Sequence, residues 1–139
     1  MGNVTFVGIS GSLRKASRNT GLLRCCAANL PQGASLEIAD ISALPFYNAD
    51  MEKPAAVQQL VDQVSAADGL VLACPEYNYS LAPALKNALD WLSREPDLAP
   101  LADKTVCIVG AGGGMGTSRA QYHLRQVCVY LNLHVLNKP

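Results

Sequence analysis

The sequence predicts an α/β domain in which a parallel sheet carries helices on both faces. Three observations predict it. Short β-rich runs alternate with helix-patterned segments along the chain. The runs are apolar almost without interruption, as strands covered on both faces are. Their starts recur about every 30 to 36 residues, the length of a βα unit. Right-handed crossovers leave few topologies for such a chain, and ligands of such sheets bind beyond the carboxyl ends of the strands.

The first strand is predicted over Val4–Ser10 and a weaker second over Leu36–Ile41. A third covers Gly69–Cys74, a fourth Thr105–Gly110, and a fifth begins at His134. Asn19–Asn29 is the first helix. In the second, Val57, Leu60, Val61 and Val64 recur at helical spacing after Pro54, which suits a first helical position. The third runs from Pro83 to Leu92, and the fourth shows Leu124, Val127, Cys128 and Leu131 as one apolar stripe. All these stripes read as core.

Composition narrows the function classes. The 139 residues suit one domain, half are apolar, and the formal net charge is zero. No overall field draws such a chain to nucleic acid or an anionic membrane. No apolar run approaches the roughly 20 residues of a membrane span, and no targeting segment precedes Val4. Five cysteines without a CxxC pair read as reduced core residues of a cytoplasmic protein, and neither a disulfide frame nor a metal site is expected. The charges are unevenly spread: every acidic residue lies between Glu37 and Asp103, while Arg14, Lys15, Arg18 and Arg24 precede them without an acid.

That basic segment is the loop after the first strand. Ser12, Arg14, Ser17, Asn19 and Thr20 supply hydroxyl, amide and guanidinium groups where a helix opens. A helix N-terminus offers unpaired N–H groups and the positive dipole end. A cap at Ser17 or Asn19 accounts for one polar residue; five together point to a phosphate monoester. GxxxxGK[ST] is absent, so the loop is not that of a P-loop NTPase. Without GxGxxG it is not the usual dinucleotide turn. No cysteine precedes Cys25, which excludes a phosphatase nucleophile here.

The loop after the third strand, Pro75-Glu76-Tyr77-Asn78-Tyr79-Ser80, is bracketed by Pro75 and Pro83. Prolines preorganise its backbone. Its tyrosines can flank a planar ring, and Asn78 with backbone amides can read ring-edge heteroatoms.

Together these two loops resemble the NADPH-dependent FMN reductase family, within it the bacterial quinone and chromate reductase branch. The residues that carry the resemblance are Gly11-Ser12-x-Arg14-x-x-Ser17-x-Asn19 and Pro75 through Ser80, followed by Pro83, Lys86, Asn87, Ala88, Asp90 and Trp91. It continues through Gln121–Gln126 and Asn137–Pro139. The resemblance implies a flavodoxin-like fold with sheet order 2-1-3-4-5 and one FMN per subunit. It implies that Ser12, Arg14, Ser17, Asn19 and Thr20 hold the FMN phosphate, and that Pro75, Glu76, Tyr77, Asn78, Tyr79 and Ser80 line the flavin and ribityl side. The glycine loop after the fourth strand fits no literal GxGxxG; the resemblance places Gly112 and Gly113 beside the ring, with Thr117 or Ser118 nearby.

The activity implied is ping-pong hydride transfer from NADPH or NADH to the flavin and on to quinone, chromate, azo or flavin acceptors. No residue is assigned a strictly catalytic role, and His123 and His134 need none. The alternative is a flavodoxin-type electron carrier without its own NADPH oxidation, although such carriers favour an acidic surface. Members of the family form dimers or tetramers, and Tyr79, Leu81, Trp91, Leu92, Tyr122 and Tyr130 are the candidate interface anchors. The fold also calls for a helix after the fifth strand, whereas the sequence stops at Pro139. A single domain over 1–139, truncated at its C-terminal end, is therefore expected. Val106, Ile108, Val135 and Leu136 should then be partly uncovered on one face.

Overall fold

A computed structural model describes residues 2–137; Met1, Lys138 and Pro139 lie outside the described residues. Strands β1 (Val4–Ser10), β2 (Ala34–Ala39) and β3 (Gly69–Ala73) alternate with helices α1 (Arg18–Ala28) and α2 (Ala55–Ala66). A small hairpin follows, β4 (Glu76–Tyr77) and β5 (Ser80–Leu81), and leads into α3 (Pro83–Leu92). A 3-10 turn at Pro96–Leu98, β6 (Thr105–Val109), α4 (Ser118–Tyr130) and β7 (His134–Val135) complete the order. The main sheet runs β2-β1-β3-β6-β7, parallel throughout. Counted without the hairpin, that is the expected 2-1-3-4-5 order.

The sheet separates two packing layers. On one face, Val7, Ile9, Leu70, Leu72 and Val106 meet the apolar stripes of α2, α3 and α4 in the main core. On the other face Leu23 of α1 packs on Val71 and Ala73, with Leu36, Ile38, Cys107 and Val109 half-buried around them. β3 is buried along its whole length, as a central parallel strand should be.

Four expectations shift. β2 starts two residues earlier and ends before Asp40. Its pairing with β1 begins at Val4 and Ala34, after Gly33 turns the chain at φ 87°. The Asp40 carboxylate accepts the Ser42 amide at 2.9 Å, closing the strand with an Asx turn. Pro54 is not the first helical residue but the cap, with extended ψ of 153°. Cysteines are core only at Cys74 and Cys128; Cys25 is exposed because α1 turns Leu23, not Cys25, to the sheet, and Cys26 and Cys107 are half-buried. Finally, Val106 is fully buried. Ile108 and Val135 are half-buried and Leu136 is exposed, as expected, and Cys107 and Val109 on the α1 face are half-buried with them. Side chains alternate across a strand, so Val106 faces the well-covered layer.

Candidate active site

Three loops leave the sheet at the carboxyl ends of β1, β3 and β6. The Gly11 amide donates to the Ala73 carbonyl at 2.9 Å and the Cys74 amide to the Val109 carbonyl at 2.8 Å, so the ladder continues past the strands. The loops are thereby held side by side, and they enclose a cleft of about 560 Å³.

The first loop lines one end of this cleft. Ser12 and Ser17 are almost buried, and Arg14 and Arg18 stand exposed beside them. Ser17 is the N-cap of α1, its Oγ accepting the Thr20 amide at 3.1 Å. A serine hydroxyl used in this way still has its own proton to donate. Asn19 plays a different part: its Nδ2 donates to the Ala111 carbonyl at 3.2 Å and its Oδ1 accepts the Ala111 amide at 2.9 Å. It fastens the first loop to the glycine loop. The Thr20 hydroxyl donates to Ser10 Oγ at 2.8 Å, and Thr20 does not line the cleft.

The second loop is the hairpin. Its two-residue turn is Asn78-Tyr79, with φ of 49° and 66°. Both central residues of a type I′ turn need positive φ, which Asn accepts readily and Tyr at a cost. Pro75, Glu76 and Tyr77 line the cleft, but Asn78, Tyr79 and Ser80 do not. The turn carries Tyr79 outward, where the Arg119 guanidinium stacks on its ring at 3.7 Å. Ser80 Oγ is 2.9 Å from His123 Nδ1, which ties the hairpin to α4.

The glycine loop forms the opposite wall. A Cβ at Gly110 would collide with Thr117 and with the Cys74 carbonyl, and one at Gly112 with the Gly116 backbone. Gly113 and Gly114 have open space where a side chain would stand. Backbone on this wall can therefore be approached closely. Thr117 is buried, its Oγ1 accepting the Gln121 side-chain amide at 3.0 Å, and Ser118 opens on a different hollow with Tyr79 and Tyr122. Neither lines the cleft.

Glu76 and Arg119 join the second and third loops. Glu76 Oε1 lies 2.6 Å from both Nε and a terminal nitrogen of Arg119, while Oε2 accepts the Arg119 and Ala120 amides at 3.1 and 3.2 Å. The carboxylate thus caps α4 from outside the helix. Partial burial pushes its pKa up, but the amide bonds and the guanidinium outweigh this, and the net shift is downward. Arg119 was not singled out from the sequence. One signal was available: an arginine in the first turn of a helix opposes the dipole, and so calls for a carboxylate from elsewhere. With Arg14, Arg18 and Arg119 against Glu76, the described residues lining the cleft carry three cations and one paired anion.

A family described as NADPH-dependent FMN reductase matches residues 4–139. The chain belongs to that family. It is 50% identical over 141 residues to an NAD(P)H-dependent FMN reductase of Pseudomonas aeruginosa, covering 99% of this chain and 76% of that one. It is 46% identical over 141 residues to the quinone reductase of Escherichia coli K12, covering 96% and 73%. Among solved structures, FerB of Paracoccus denitrificans, a flavoenzyme NAD(P)H:(acceptor) oxidoreductase, superposes with a TM-score of 0.92 at 28% identity, covering 98% and 76%. The arrangement of the family member's sheet is thus the flavodoxin-like one.

The Glu76 link generates a prediction about acid stability. Because its carboxyl is depressed in the folded state, its contribution is complete above the ordinary value of 4.5 and is lost as pH falls through the folded value. Between about pH 5 and pH 3 the melting temperature of the unsubstituted protein should fall more steeply than that of Glu76→Gln. Parallel melting curves across that range would show that the carboxylate contributes nothing.

Proposed function

We propose that the protein is an FMN-dependent NAD(P)H oxidoreductase that reduces quinones in a ping-pong reaction, in the reducing cytoplasm that its free thiols suit. The observation that carries this reading is the cleft itself. One end offers hydroxyls, a guanidinium and the first amides of α1; the other offers a wall of glycine backbone. A phosphate monoester and a planar polar ring need those two surfaces at one site. The curated relatives' names add the activity to the geometry.

The residues fit FMN in the following roles. Ser12, Arg14 and Ser17 hold the phosphate, and Pro75, Tyr77, Gly112 and Gly113 border the ring. Asn19 lines the cleft while pairing with Ala111, and Thr20 supports the phosphate loop from outside the cleft through Ser10. Glu76 and Arg119 fix the distance between ring loop and glycine loop, and Asn78, Tyr79 and Ser80 shape the hairpin. When bound, the flavin supplies two-electron chemistry between the nicotinamide and the acceptor. The overall change gives NAD(P)⁺ and hydroquinone from NAD(P)H, quinone and one proton. Among the described residues lining the cleft, Glu76 is the single carboxylate and it is ion-paired. The added proton therefore comes from solvent. Chromate, azo compounds and free flavin are the further acceptors that the family resemblance implies.

Two tests follow from these assignments. A charge-assisted contact from Arg14 is worth about 1.5–3 kcal/mol, so Arg14→Ala should weaken FMN binding roughly 10- to 150-fold. Steady-state NADPH oxidation with a quinone should fall with it at limiting FMN. An unchanged FMN dissociation constant would remove Arg14 from the site. An unsubstituted protein loaded with FMN that oxidises almost no NADPH would point to an electron carrier instead.

We also propose that the protein self-associates as a homodimer or homotetramer. Trp91 and Leu92 are buried and cannot anchor an interface, and Leu81 is half-buried against the core. Tyr79, Tyr122, Val129 and Tyr130 remain exposed, the last three on α4. Exposed aromatics grouped in this way favour an interface. Sedimentation at micromolar concentration should show dimer or tetramer, and Tyr122→Ser with Tyr130→Ser should shift it to monomer. A monomeric unsubstituted protein would contradict this.

A further inference from the structure

A second cavity, of about 470 Å³, adjoins the cleft and shares Arg14 and Tyr77 with it. Its other walls come from the first loop, from the segment after β2 and from the start of α3. Leu13, Ile41, Leu44, Phe46, Pro83 and Ala84 make it chiefly apolar, and among the described residues lining it Arg14 is the one ionised side chain. Its size falls within the range of small-molecule pockets.

Phe46 gives this cavity its meaning. The side chain is 77% exposed. A lone exposed phenylalanine on a loose loop is unremarkable, but this loop is fastened on both sides of it. Trp91 Nε1 and Asn87 Nδ2 both donate to the Pro45 carbonyl, at 2.8 and 2.9 Å, and the Tyr47 amide donates to Asn87 Oδ1 at 2.8 Å. The Tyr47 ring meets Trp91 edge-on at 5.0 Å, and the Arg94 guanidinium lies over the Tyr47 ring at 5.3 Å. The backbone is thus fixed while the Phe46 ring faces water. Leu13, 59% exposed, lines the same cavity. Preorganised apolar surface of this kind favours a ligand because little ordering remains for binding to cost.

We propose that this cavity holds the apolar second ring of a two-ring quinone whose quinone ring lies at the boundary with the cleft, beside Tyr77. This deepens the quinone-reductase reading and rests on it. The walls are wrong for chromate or for a nicotinamide pyrophosphate, because among the residues lining the cavity an anion finds no charged partner besides Arg14, which the phosphate already uses. A single-ring quinone reaches the boundary without filling the cavity. The protein should therefore prefer naphthoquinones to benzoquinone, with Phe46 as a specificity-determining residue.

The test uses the protein with saturating FMN and the variants Phe46→Ser and Phe46→Leu. Equilibrium dialysis of 2-methyl-1,4-naphthoquinone should show roughly tenfold weaker binding to Phe46→Ser, the factor expected for uncovering part of an apolar ring, and partial recovery in Phe46→Leu. The kcat/KM for the naphthoquinone should fall with the binding, while that for 1,4-benzoquinone stays within about twofold. Unchanged naphthoquinone binding in Phe46→Ser would overturn the proposal. So would an equal loss for both quinones, or a loss of FMN affinity, which would put the flavin ring itself in this cavity. If the naphthoquinone binds in the predicted manner but is not reduced, the cavity assignment stands and the quinone-reductase reading fails.

Discussion

A carboxylate with little exposed surface holds the geometry on which the site depends. Glu76 leaves the hairpin after the central strand, accepts two amides at the start of α4 and pairs with Arg119. Without it, the hairpin and the helix that follows the glycine loop would be joined chiefly through Ser80 and His123. The Asn19–Ala111 pair performs the matching task between the first loop and the glycine loop. Three loops from three adjacent strands thereby become one rigid rim. Buried charge-assisted bonds are stronger than neutral ones and suit this purpose.

The rim explains how a chain of zero net charge presents a basic cleft. Arg14 and Arg18 are placed by the opening of α1, and Arg119 by Glu76. The nearest carboxylate is consumed in positioning rather than left to repel an anion. Helix dipoles add to the same field: the α1 N-terminus faces the cleft with Ser17 as its cap, while the α4 N-terminus is satisfied by Glu76 from the hairpin. One helix end is thus left open to the cleft and the other is used for structure.

Much of this was legible in the sequence. Apolar runs at βα spacing give the sheet and its order, because a strand covered on both faces can hardly be written otherwise. Ser12, Arg14 and Ser17 could be placed at the cleft, since a hydroxyl- and cation-rich loop opening a helix has few other uses. Pro75, Tyr77, Gly112 and Gly113 also line it. Less legible was the direction in which each polar side chain turns. Thr20 looks like a ligand donor by composition, yet its hydroxyl goes to Ser10 and it does not line the cleft, while Asn19 does line it but spends its side-chain amide on Ala111, far away in the chain. The hairpin was hidden because its turn uses Tyr79 where glycine is usual, so Asn78 and Tyr79 read as ligand contacts. Arg119 and Phe46 escaped for a related reason: their roles are fixed by Glu76 in one case, and by Asn87 and Trp91 in the other, across separations that periodicity does not reveal.

The central claim is that the first loop is a phosphate site built from Ser12, Arg14, Ser17 and the α1 amides. It is tested most directly by titrating the cofactor-free protein with FMN and with riboflavin, which differ only in the phosphate. A guanidinium and several further donors on one dianion should make FMN bind more than about 100-fold tighter than riboflavin at low salt, and added salt should narrow the gap. Equal dissociation constants for the two flavins would contradict the account.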